Sequence, residues 1–482
     1  MNYRMVIYII GQMMKVEGLL MLMPLICAAV YNESILPFFV PIAILLVLGF
    51  AFTVKPPRDK TLRAKDGFVC VGLAWLILSA FGAIPFLISG ATTSVTDAFF
   101  ECVSGFTTTG ASVFGDVESL GRGILFWRSL THWLGGMGVL VFVLAVLPKS
   151  DAKSGRLMYL MRAEVPGPVV GKIVPKMAQT ARVMYGIYIG LTFVEVIFLL
   201  FGGMDLFDAL LHSFGTAGTG GFGIKNNSVA YYDSAYIEYV IGAFMVVFGI
   251  NFNLFYLILI GKFFRSLKSE ELWCYIIIIV IAVTTISFNI MPLYQSGEES
   301  FRKAFFQVAT IISTTGYSTA DFTQWPVLSQ AIIALLMFSG GCAGSTAGGL
   351  KVGRIMLLVK TAAKEIKYIL HPRTVTTVKI DGKPAEQQTV RGAMSYIIIF
   401  ITLFIFSFLA ITILDGCDLV TGFTAVSACI NNIGPGLAKV GPAANFGFLS
   451  TASKWILSFD MLLGRLEIFP ILMLFSPSTW KK

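Results

Sequence analysis

The sequence contains few charged residues. Asp, Glu, Lys and Arg make up 13% of its 482 residues, whereas hydrophobic residues make up 56%. Soluble domains usually carry about 25% charged residues, so this composition excludes a chain built from large soluble domains. The mean hydropathy is +0.80, and apolar runs of roughly 20 residues, each long enough to cross the hydrocarbon layer of a bilayer, recur along the chain. We therefore predict an all-α membrane protein.

Patterns typical of metal sites and catalytic centres are also scarce. The three histidines, His132, His212 and His371, lack the spacing of metal ligands, and the seven cysteines include no CxxC pair. We interpret the cysteines as small core side chains. These absences argue against an enzyme and against a bound cofactor. The net charge of +9 lies in Lys and Arg clusters between apolar runs, which is typical of membrane topology and not of nucleic-acid binding.

Ten apolar segments predict ten membrane-spanning helices. They lie at about 5–29, 36–54, 67–90, 124–148, 181–203, 236–261, 272–293, 327–359, 393–414 and 453–476. Lys15 and Glu17 interrupt the first segment and a second follows at once, which favours an uncleaved helix pair over a signal peptide. Basic clusters at 55–65, 149–182, 262–268 and 360–391, and the terminal Lys481-Lys482, all face the cytoplasm in one consistent alternation. Both termini are then predicted to be cytoplasmic.

The four outward loops, 91–123, 204–235, 294–326 and 415–452, share an internal spacing. In each loop 13 positions separate the start of a short amphipathic stretch (Asp97, Asp208, Lys303, Thr421) from a glycine (Gly110, Gly221, Gly316, Gly434). Four matches at one spacing indicate an internal repeat. The predicted division is a helix pair at 1–54 followed by repeats at 55–160, 161–268, 269–375 and 376–482.

The repeated stretch is interpreted as a half-length helix followed by a loop that returns outward. Irregular backbone at membrane depth is tolerated only where protein or water surrounds it, so the four loops should converge on one pathway. Rings of backbone carbonyls can replace the hydration shell of a cation, and glycine permits the backbone angles required. The alternative is that these small residues only allow close helix packing.

At these residues the chain resembles the superfamily of K+ transporters that evolved from fused two-helix K+ channels and that includes the Ktr and HKT proteins. Within it, the chain is similar to the bacterial Trk-type potassium uptake subunit over essentially its whole length, including an N-terminal helix pair that the shorter Ktr-type subunits lack. The resemblance implies four helix–pore loop–helix repeats in a pseudo-four-fold arrangement. It also implies that K+ is the transported ion and that no cofactor is bound.

The resemblance places a K+ filter of backbone carbonyls beside the repeated glycines. The residues are Thr108, Thr109 and Gly110; Thr219, Gly220 and Gly221; Thr314, Thr315 and Gly316; and Asn432, Ile433 and Gly434. The fourth repeat departs most from the others, so we expect a filter without four-fold symmetry and with looser selectivity than that of a K+ channel. Glycine in the first repeat, where some relatives have serine, favours K+ over Na+ by the same resemblance.

Glycines are concentrated within the segment 327–359, where no continuous helix favours them. The resemblance implies an intramembrane gate here, formed by Gly340, Gly341, Gly344, Ser345, Thr346, Gly348 and Gly349. A packing hinge is the alternative, and a phosphate-binding loop would need a GK[ST] ending that is missing. Lys351 and Arg354 are interpreted as the cytoplasmic end of the interrupted helix.

Arg465 is an ionisable residue within the last apolar segment, and such residues are costly in a membrane and suggest a function. The resemblance implies that Arg465 contacts the glycine-rich loop and helps to block the path when it is closed. The alternative is a local ion pair with Glu467 or Asp460. Buried hydrogen bonding is expected for Glu195, Asn251 and Asn253.

The function predicted from these features is gated, channel-like K+ uptake across a bacterial inner membrane. The resemblance implies a homodimer on a cytosolic ring of regulatory subunits that bind ATP/ADP or NAD(H). The alternative is a secondary transporter that couples K+ to H+ or Na+. Such a protein needs a titratable group or a second ion site near the membrane midplane, and no carboxylate occurs in the glycine-containing segments.

Overall fold

The structure is a computed structural model, and it describes residues 1–59, 63–138, 177–374 and 377–480. Several sequence features lie outside these ranges. They are the second half of the predicted span 124–148, the predicted repeat boundary at 160 and 161, most of the basic cluster at 149–182, and the terminal Lys481-Lys482.

Helices form nearly all the regular structure in these ranges. The N-terminal pair comprises Tyr3–Leu20, Leu22–Val30 and Leu36–Thr53. Grouped by the predicted repeats, the described helices of the first are Ala64–Gly82, Ile84–Ile88, Val95–Phe106 and Arg122–Gly136, and those of the second are Met177–Phe201, Leu206–Gly218, Ala235–Phe248, Phe252–Leu259 and Phe263–Ser266. The third comprises Glu270–Ile290, Gly297–Ile312, Val327–Leu336 and Val352–Leu370, and the fourth comprises Gln387–Asp415, Leu419–Ile430, Thr451–Arg465, Phe469–Phe475 and Pro477–Trp480.

The remaining elements are short. Single turns of 3-10 helix occur at Ser228–Tyr232, Met291–Leu293, Phe322–Gln324 and Ala438–Val440. One antiparallel hairpin pairs Lys379–Ile380 with Lys383–Pro384, with Lys379 opposite Pro384. The predicted all-α class is confirmed.

Six helices in the described ranges are long and apolar enough to cross a membrane. The number becomes seven if Ala235–Phe248 and Phe252–Leu259, which are bent by 93° at their junction, are counted as one span. The predicted number of ten spans and the predicted repeat boundaries therefore stay predictions.

The N-terminal pair packs through glycines. A Cβ on Gly11 would lie 2.7 Å from the Cβ of Phe52, and one on Gly49 would lie 2.9 Å from the carbonyl oxygen of Gly11. Helices in a membrane associate by close packing, since the lipid tails remove the hydrophobic driving force. The two glycines therefore let the backbones of Tyr3–Leu20 and Leu36–Thr53 approach each other.

The second helices of the second, third and fourth repeats are interrupted, whereas the long first helices of the same repeats are continuous. The interruptions lie at 249–251, 337–351 and 466–468, and the described part of the first repeat's second helix ends at Gly136. Only the interruption at 337–351 was expected from composition. In the fourth repeat Glu467 and Ile468 have φ of +52° and +69°. Pro470 is then the second residue of the next helix, and the first turn of a helix suits its fixed φ.

The four inner helices, as we call Val95–Phe106, Leu206–Gly218, Gly297–Ile312 and Leu419–Ile430, have the predicted half length. They contain 12 to 16 residues, or about 18–24 Å of helix, which is less than the roughly 30 Å of a hydrocarbon core. The side chains of Ser94, Ser296 and Asp418 cap three of their N-termini. Hydrogen bonds from Thr421 lower the pKa of the Asp418 carboxyl, so a negative charge is kept at that N-terminus, where it is favourable.

Two ion pairs of opposite polarity join inner helices to the second helix of the preceding repeat in cyclic order. Asp97 on the first inner helix accepts from Lys454 at 2.7 Å, and Lys303 on the third donates to Glu238 at 2.7 Å. Asp97 and Lys303 occupy equivalent repeat positions, and Lys454 and Glu238 are each the fourth residue of their helices. The contact is therefore repeated while the charges are exchanged.

Because the equivalent pair has the opposite polarity, we predict that the charges of Asp97 and Lys454 can be exchanged without loss of the contact. Lys454→Asp alone places two carboxylates together and should destabilise the fold by about 1–3 kcal/mol, between the values for exposed and buried pairs. Combining Asp97→Lys with Lys454→Asp should recover most of this loss, because the equivalent pair already has that polarity. Thermal unfolding in detergent measures the effect. A double variant that is no more stable than Lys454→Asp alone would contradict the prediction.

Candidate functional site

The inner helices end in four short segments that share one backbone conformation. We call 107–110, 218–221, 313–316 and 431–434 the turn segments. The second residues, Thr108, Thr219, Thr314 and Asn432, have φ of +55°, +55°, +58° and +54°, and the final glycines have φ between +76° and +95°. Left-handed backbone is unusual for a branched residue such as Thr and is tolerated by glycine. The repeat is therefore present in the backbone, even where the side chains differ.

The same hydrogen bonds end each inner helix. In the first turn segment, the Thr108 N–H donates to the Gly105 carbonyl at 3.1 Å and the Thr109 N–H donates to the Ser104 carbonyl at 2.9 Å. The equivalent bonds elsewhere are Thr219 to Thr216 and Gly220 to Gly215, Thr314 to Ile311 and Thr315 to Thr310, and Asn432 to Cys429 and Ile433 to Ala428. Such bonds satisfy the last carbonyls of a helix, so the chain leaves all four helices in the same way.

The turn segments close on one another in a ring. A Cβ on Gly110 would overlap the carbonyl oxygen of Gly220, one on Gly221 that of Thr315, one on Gly316 that of Ile433, and one on Gly434 that of Thr109. Each glycine thus lies against the third residue of the next segment, and the fourth segment returns to the first. Any side chain at these glycines would displace a neighbouring carbonyl.

In each turn segment of this ring, the carbonyl groups of the second and third residues, eight in all, have no hydrogen-bond donor among the described residues. They belong to Thr108, Thr109, Thr219, Gly220, Thr314, Thr315, Asn432 and Ile433, all of which are buried. Buried backbone carbonyls are almost always paired, because an unpaired one costs free energy. Eight unpaired carbonyls in one ring indicate a site for a cation or for water.

The expected loss of four-fold symmetry concerns the side chains and not the backbone. Hydroxyl pairs of equivalent position join Thr107 to Thr109 at 2.8 Å and Ser313 to Thr315 at 2.7 Å. The fourth segment instead extends the amide of Asn432, which donates to the hydroxyl of Thr109 at 3.0 Å. Asn432 therefore links the fourth segment to the first by a side-chain bond of its own.

A buried ion pair supports the first turn segment. The guanidinium of Arg128 contacts the Glu101 carboxylate at 2.7 and 2.9 Å, and the two residues are 2% and 0% exposed. Arg128 also donates to the carbonyl of Gly223 at 3.1 Å, and the backbone N–H of Val113 donates to Glu101 at 3.0 Å. The pair joins the first repeat to the second. No motif in the sequence marks this pair, although two ionisable residues in buried positions are themselves an indication of function.

His132 makes a second link between the first two repeats. Its Nε2 accepts from the Phe222 N–H at 3.2 Å, so Nδ1 carries the proton and donates to the Gly105 carbonyl at 2.9 Å. Gly105 lies on the first inner helix and Phe222 follows the second turn segment. His132 therefore has a positioning role here.

The glycine loop, residues 338–350, is closed at its neck. The Gly340 N–H donates to the Leu350 carbonyl at 2.7 Å, and the Val352 N–H donates to the Gly341 carbonyl at 3.2 Å. Glu271, which the sequence analysis did not select, accepts from the Ala343 N–H at 2.7 Å. The loop is thus held as one unit between two helices of the third repeat.

The interior of the loop follows a path that its composition permits. Gly344 and Gly349 have φ of +75° and +66°, a region that favours glycine. The hydroxyl of Ser345 donates to the Cys342 carbonyl at 2.7 Å. These residues form a compact turn.

The glycine loop contacts the third and fourth turn segments. The Gly348 N–H donates to the hydroxyl of Thr314 at 2.7 Å, and a Cβ on Gly348 would lie 2.7 Å from the Cβ of Asn432. The hydroxyl of Thr346 donates to the Phe248 carbonyl at 3.2 Å, where the second repeat's second helix is interrupted. The structure therefore brings the two predicted sites together.

Arg465 lies between the glycine loop and the first turn segment. Its guanidinium donates to the Thr346 carbonyl at 2.7 Å, to the Thr108 hydroxyl at 3.2 Å, to the Gly136 carbonyl at 2.6 Å and to the Gly135 carbonyl. The expected contact with the glycine loop is present. One side chain thus contacts the turn segments, the loop and the end of a second helix.

The residues proposed as local partners of Arg465 have other partners. Glu467 contacts Arg354 at 2.6 Å, and Asp460 accepts from the hydroxyl of Ser407 at 2.9 Å. Arg354 and Lys351 are 5% and 8% exposed. Both cations are therefore buried, and the ion pair with Glu467 holds Arg354 inside the protein; their interpretation as the cytoplasmic end of the interrupted helix stays a prediction.

Glu195, Asn251 and Asn253 are polar residues without an assigned role, and the first two lie beside helices described above. The side chain of Asn251 accepts from the Asn253 N–H at 2.9 Å and so caps the helix Phe252–Leu259. Glu195 is buried next to Thr216 of the second inner helix. Neither residue belongs to the turn segments or to the glycine loop.

Comparison with known proteins gives one consistent family. A model of the TrkH family, described as cation transport proteins, matches residues 34–482. The Trk system potassium uptake protein TrkH of Vibrio parahaemolyticus is 36% identical over 490 residues, and Trk system potassium uptake protein TrkG of Escherichia coli is 34% identical over 487 residues. The alignments cover 100% of this chain and at least 99% of each relative. The crystal structure of the potassium transporter TrkH from Vibrio parahaemolyticus superposes with a TM-score of 0.89, at 35% identity and with both chains fully covered.

Because the Glu101–Arg128 pair is buried, we predict that a substitution of Arg128 destabilises the protein more than a substitution of a surface arginine does. Arg128→Met should leave the Glu101 carboxylate buried without its cation, which costs about 3–5 kcal/mol. Adding Glu101→Gln should recover part of this loss. Arg122→Ala is the control, since that guanidinium lies over the ring of Tyr31 at the surface. Thermal unfolding in detergent is the measurement, and equal shifts for the two arginines would contradict the prediction.

Proposed function

The chain belongs to the TrkH family of cation transport proteins, and from this premise we propose that it takes up K+ through a filter formed by the four turn segments. The filter oxygens are the carbonyls of Thr108, Thr109, Thr219, Gly220, Thr314, Thr315, Asn432 and Ile433. The chain has no enzymatic role in this proposal, and K+ is the transported ion.

The eight unpaired carbonyls are the observation that carries the proposal. They are buried in a closed ring at the ends of helices too short to cross the membrane. A dehydrated monovalent cation needs neutral oxygens in place of its water, and carbonyl rings supply them. Each inner helix also ends at the ring, where the negative end of its dipole favours a cation.

The assignment of K+ rests on the relatives. The two relatives reported above are named as potassium uptake proteins. Their alignments cover the whole of this chain. The final glycine of the first segment, Gly110, agrees with a preference for K+ over Na+ according to the family resemblance.

The glycine loop and Arg465 form the gate in this proposal. The loop contacts the third and fourth turn segments, and Arg465 contacts the first. A guanidinium beside the pathway repels a permeating cation, so this arrangement corresponds to a closed state. Opening requires that Arg465 and the loop withdraw together, since Thr346 joins them.

The assembly proposed for the chain follows the family. It is a homodimer in a bacterial inner membrane, with both termini in the cytoplasm, and it binds a cytosolic ring of subunits that bind ATP/ADP or NAD(H). The basic segments between the predicted spans support this orientation.

A K+ transporter coupled to H+ or Na+ is the alternative function. The turn segments contain no carboxylate, but Glu195 is buried beside the second inner helix and would be the first candidate for a coupled proton. Recordings in planar bilayers separate the two functions. Unitary currents support the channel-like function, whereas flux of fixed stoichiometry without unitary currents supports coupling.

The filter proposal predicts a loss of selectivity at Gly316. Gly316→Ser should strain the backbone at φ +90° and displace the Ile433 carbonyl, at a cost of about 1–3 kcal/mol. The preference for K+ over Na+ should fall by about tenfold, since 1.4 kcal/mol corresponds to a factor of ten. Competitive uptake of Rb+ against Na+ measures it.

Gly115→Ser is the matched control for this variant. A Cβ on Gly115 would make only an ordinary contact of 3.6 Å with the side chain of Asn445. Selectivity should stay unchanged in the control. If Gly316→Ser left the preference for K+ over Na+ unchanged, the assignment of that carbonyl ring to the filter would be contradicted.

The gate proposal predicts activity without the regulatory subunit. Arg465→Ala removes charge-assisted hydrogen bonds worth about 1.5–3 kcal/mol each from the closed state, so conductance of the chain alone should rise at least about tenfold. Shortening the loop between Gly341 and Leu350 should act in the same direction, because its two ends already meet. Conductance of purified protein in liposomes is the measurement. An unchanged or silent protein would contradict gating at this position.

A further inference from the structure

Glu195 is a buried carboxyl within a helix that is long and apolar enough to cross the membrane. It lies in Met177–Phe201 and is 0% exposed. Neither of its oxygens accepts a hydrogen bond from a described residue, and no cation in the described ranges pairs with it. An ionised carboxylate in such a place costs far more free energy than a neutral acid does. The groups around Glu195 therefore decide its charge state.

The hydroxyl of Thr216 offers Glu195 lone pairs but no proton. Thr216 lies on the second inner helix, and its side chain is beside the carboxyl. Its hydroxyl oxygen is 2.9 Å from the carbonyl oxygen of His212, one turn earlier in the same helix. A carbonyl oxygen only accepts, so the proton of the Thr216 hydroxyl is directed to His212. Thr216 can then accept a hydrogen bond from Glu195 but cannot donate one to it.

Two nearby tyrosines have their protons committed in the same way. The Glu195 carboxyl acts electrostatically on Tyr188 and Tyr317, and both tyrosines are 0% exposed. The hydroxyl of Tyr188 donates to the Trp133 carbonyl at 2.8 Å, and that of Tyr317 donates to the His212 carbonyl at 3.1 Å. None of these hydroxyls has a proton left for the carboxyl, so Glu195 has to be the donor.

We propose that Glu195 is a proton-binding site whose carboxyl holds a proton at neutral pH and donates a hydrogen bond to the hydroxyl of Thr216. The bond joins the first helix of the second repeat to the inner helix that ends in the second turn segment, so Glu195 is a positioning residue. The proton is a fixed part of the fold and is not transported with K+. This inference rests on the proposed function, since it assigns the second turn segment to the filter.

Loss of the proton would act on three elements at once. An ionised carboxylate would face the lone pairs of the Thr216 hydroxyl and would repel them. Tyr317 directly follows Gly316, the last residue of the third turn segment, and Tyr188 is bonded to the second helix of the first repeat through Trp133. The neutral acid therefore stabilises a junction of the first three repeats.

Infrared difference spectroscopy of the unaltered chain against Glu195→Gln tests the bound proton. At neutral pH a protonated carboxyl gives a C=O stretching band that an ionised carboxylate lacks, so the variant should lose one such band. Glu386→Gln is the control, because Glu386 is exposed at the start of the helix Gln387–Asp415, and this variant should lose none. A spectrum of Glu195→Gln that keeps every such band would overturn the proton-binding site.

Competitive uptake of Rb+ against Na+ tests the positioning role. Glu195→Met removes the donor while keeping a side chain of similar length, so the preference for K+ over Na+ should fall by about twofold to tenfold, as for one buried hydrogen bond. Glu195→Gln should recover most of this loss, because its amide can donate to Thr216. Should Glu195→Met fail to fold, Thr216→Val removes the acceptor and should have the same effect. An unchanged preference, or no recovery in Glu195→Gln, would overturn the positioning role.

A pH-sensitive dye inside the same liposomes separates a fixed proton from a transported one. K+ uptake by the unaltered chain should proceed without stoichiometric movement of H+. Movement of H+ in a fixed ratio to K+ that Glu195→Gln abolishes would overturn the fixed proton and support coupled transport. Failure of the filter is distinguishable from failure of this inference, because it would show as unchanged selectivity in Gly316→Ser while the infrared band is still lost in Glu195→Gln.

Discussion

The structure depends on the closed ring in which each of four glycines lies against a carbonyl of the next turn segment. The ring buries eight carbonyls that no donor in the described residues satisfies. Leaving buried carbonyls unpaired is costly, and in the proposed function a permeating cation offsets that cost. The left-handed residues at Thr108, Thr219, Thr314 and Asn432 add backbone strain at the same place. The surrounding contacts must therefore hold the ring in a conformation that the segments would not adopt alone.

The side chains that make those contacts differ between the repeats, although the backbone conformation of the turn segments is the same. The first two repeats are joined by the Glu101–Arg128 pair and by His132, whereas the fourth segment reaches the first through the amide of Asn432. The ion pairs at the outer ends of the first and third inner helices exchange their charges. A duplicated chain can keep one backbone geometry in all its repeats, because that geometry is set by dihedral angles. The contacts between neighbouring repeats can still differ, because they depend on which side chains meet there. This divergence gives the first, third and fourth segments separate contacts with Arg465 and the glycine loop.

Much of this arrangement could be predicted from local patterns. The spacing of 13 positions located the inner helices and the turn segments, and the glycines at 340–349 located the loop. The interruptions at 249–251 and 466–468 were missed, because each lies within a long apolar run and contains only one polar residue, Asn251 or Glu467, and because Gly249 is the only glycine within them. Glu467 and Ile468 adopt left-handed backbone conformations, although neither residue type favours them. Such conformations are imposed by contacts with other elements, and no window along the chain contains those contacts.

By itself, the sequence determined the membrane class, the half-length helices, the four glycine positions and the family, because hydropathy, helix length and fourfold spacing are properties of contiguous residues. Only the tertiary structure decided which segment follows which around the ring, that Glu101 is paired with Arg128, that Arg354 and Lys351 are buried, and that Arg465 is held by four oxygens. Each of these depends on groups far apart in the chain meeting at a few ångströms. Ion pairing and carbonyl coordination act only at that range, so folding has to bring the groups together before either exists.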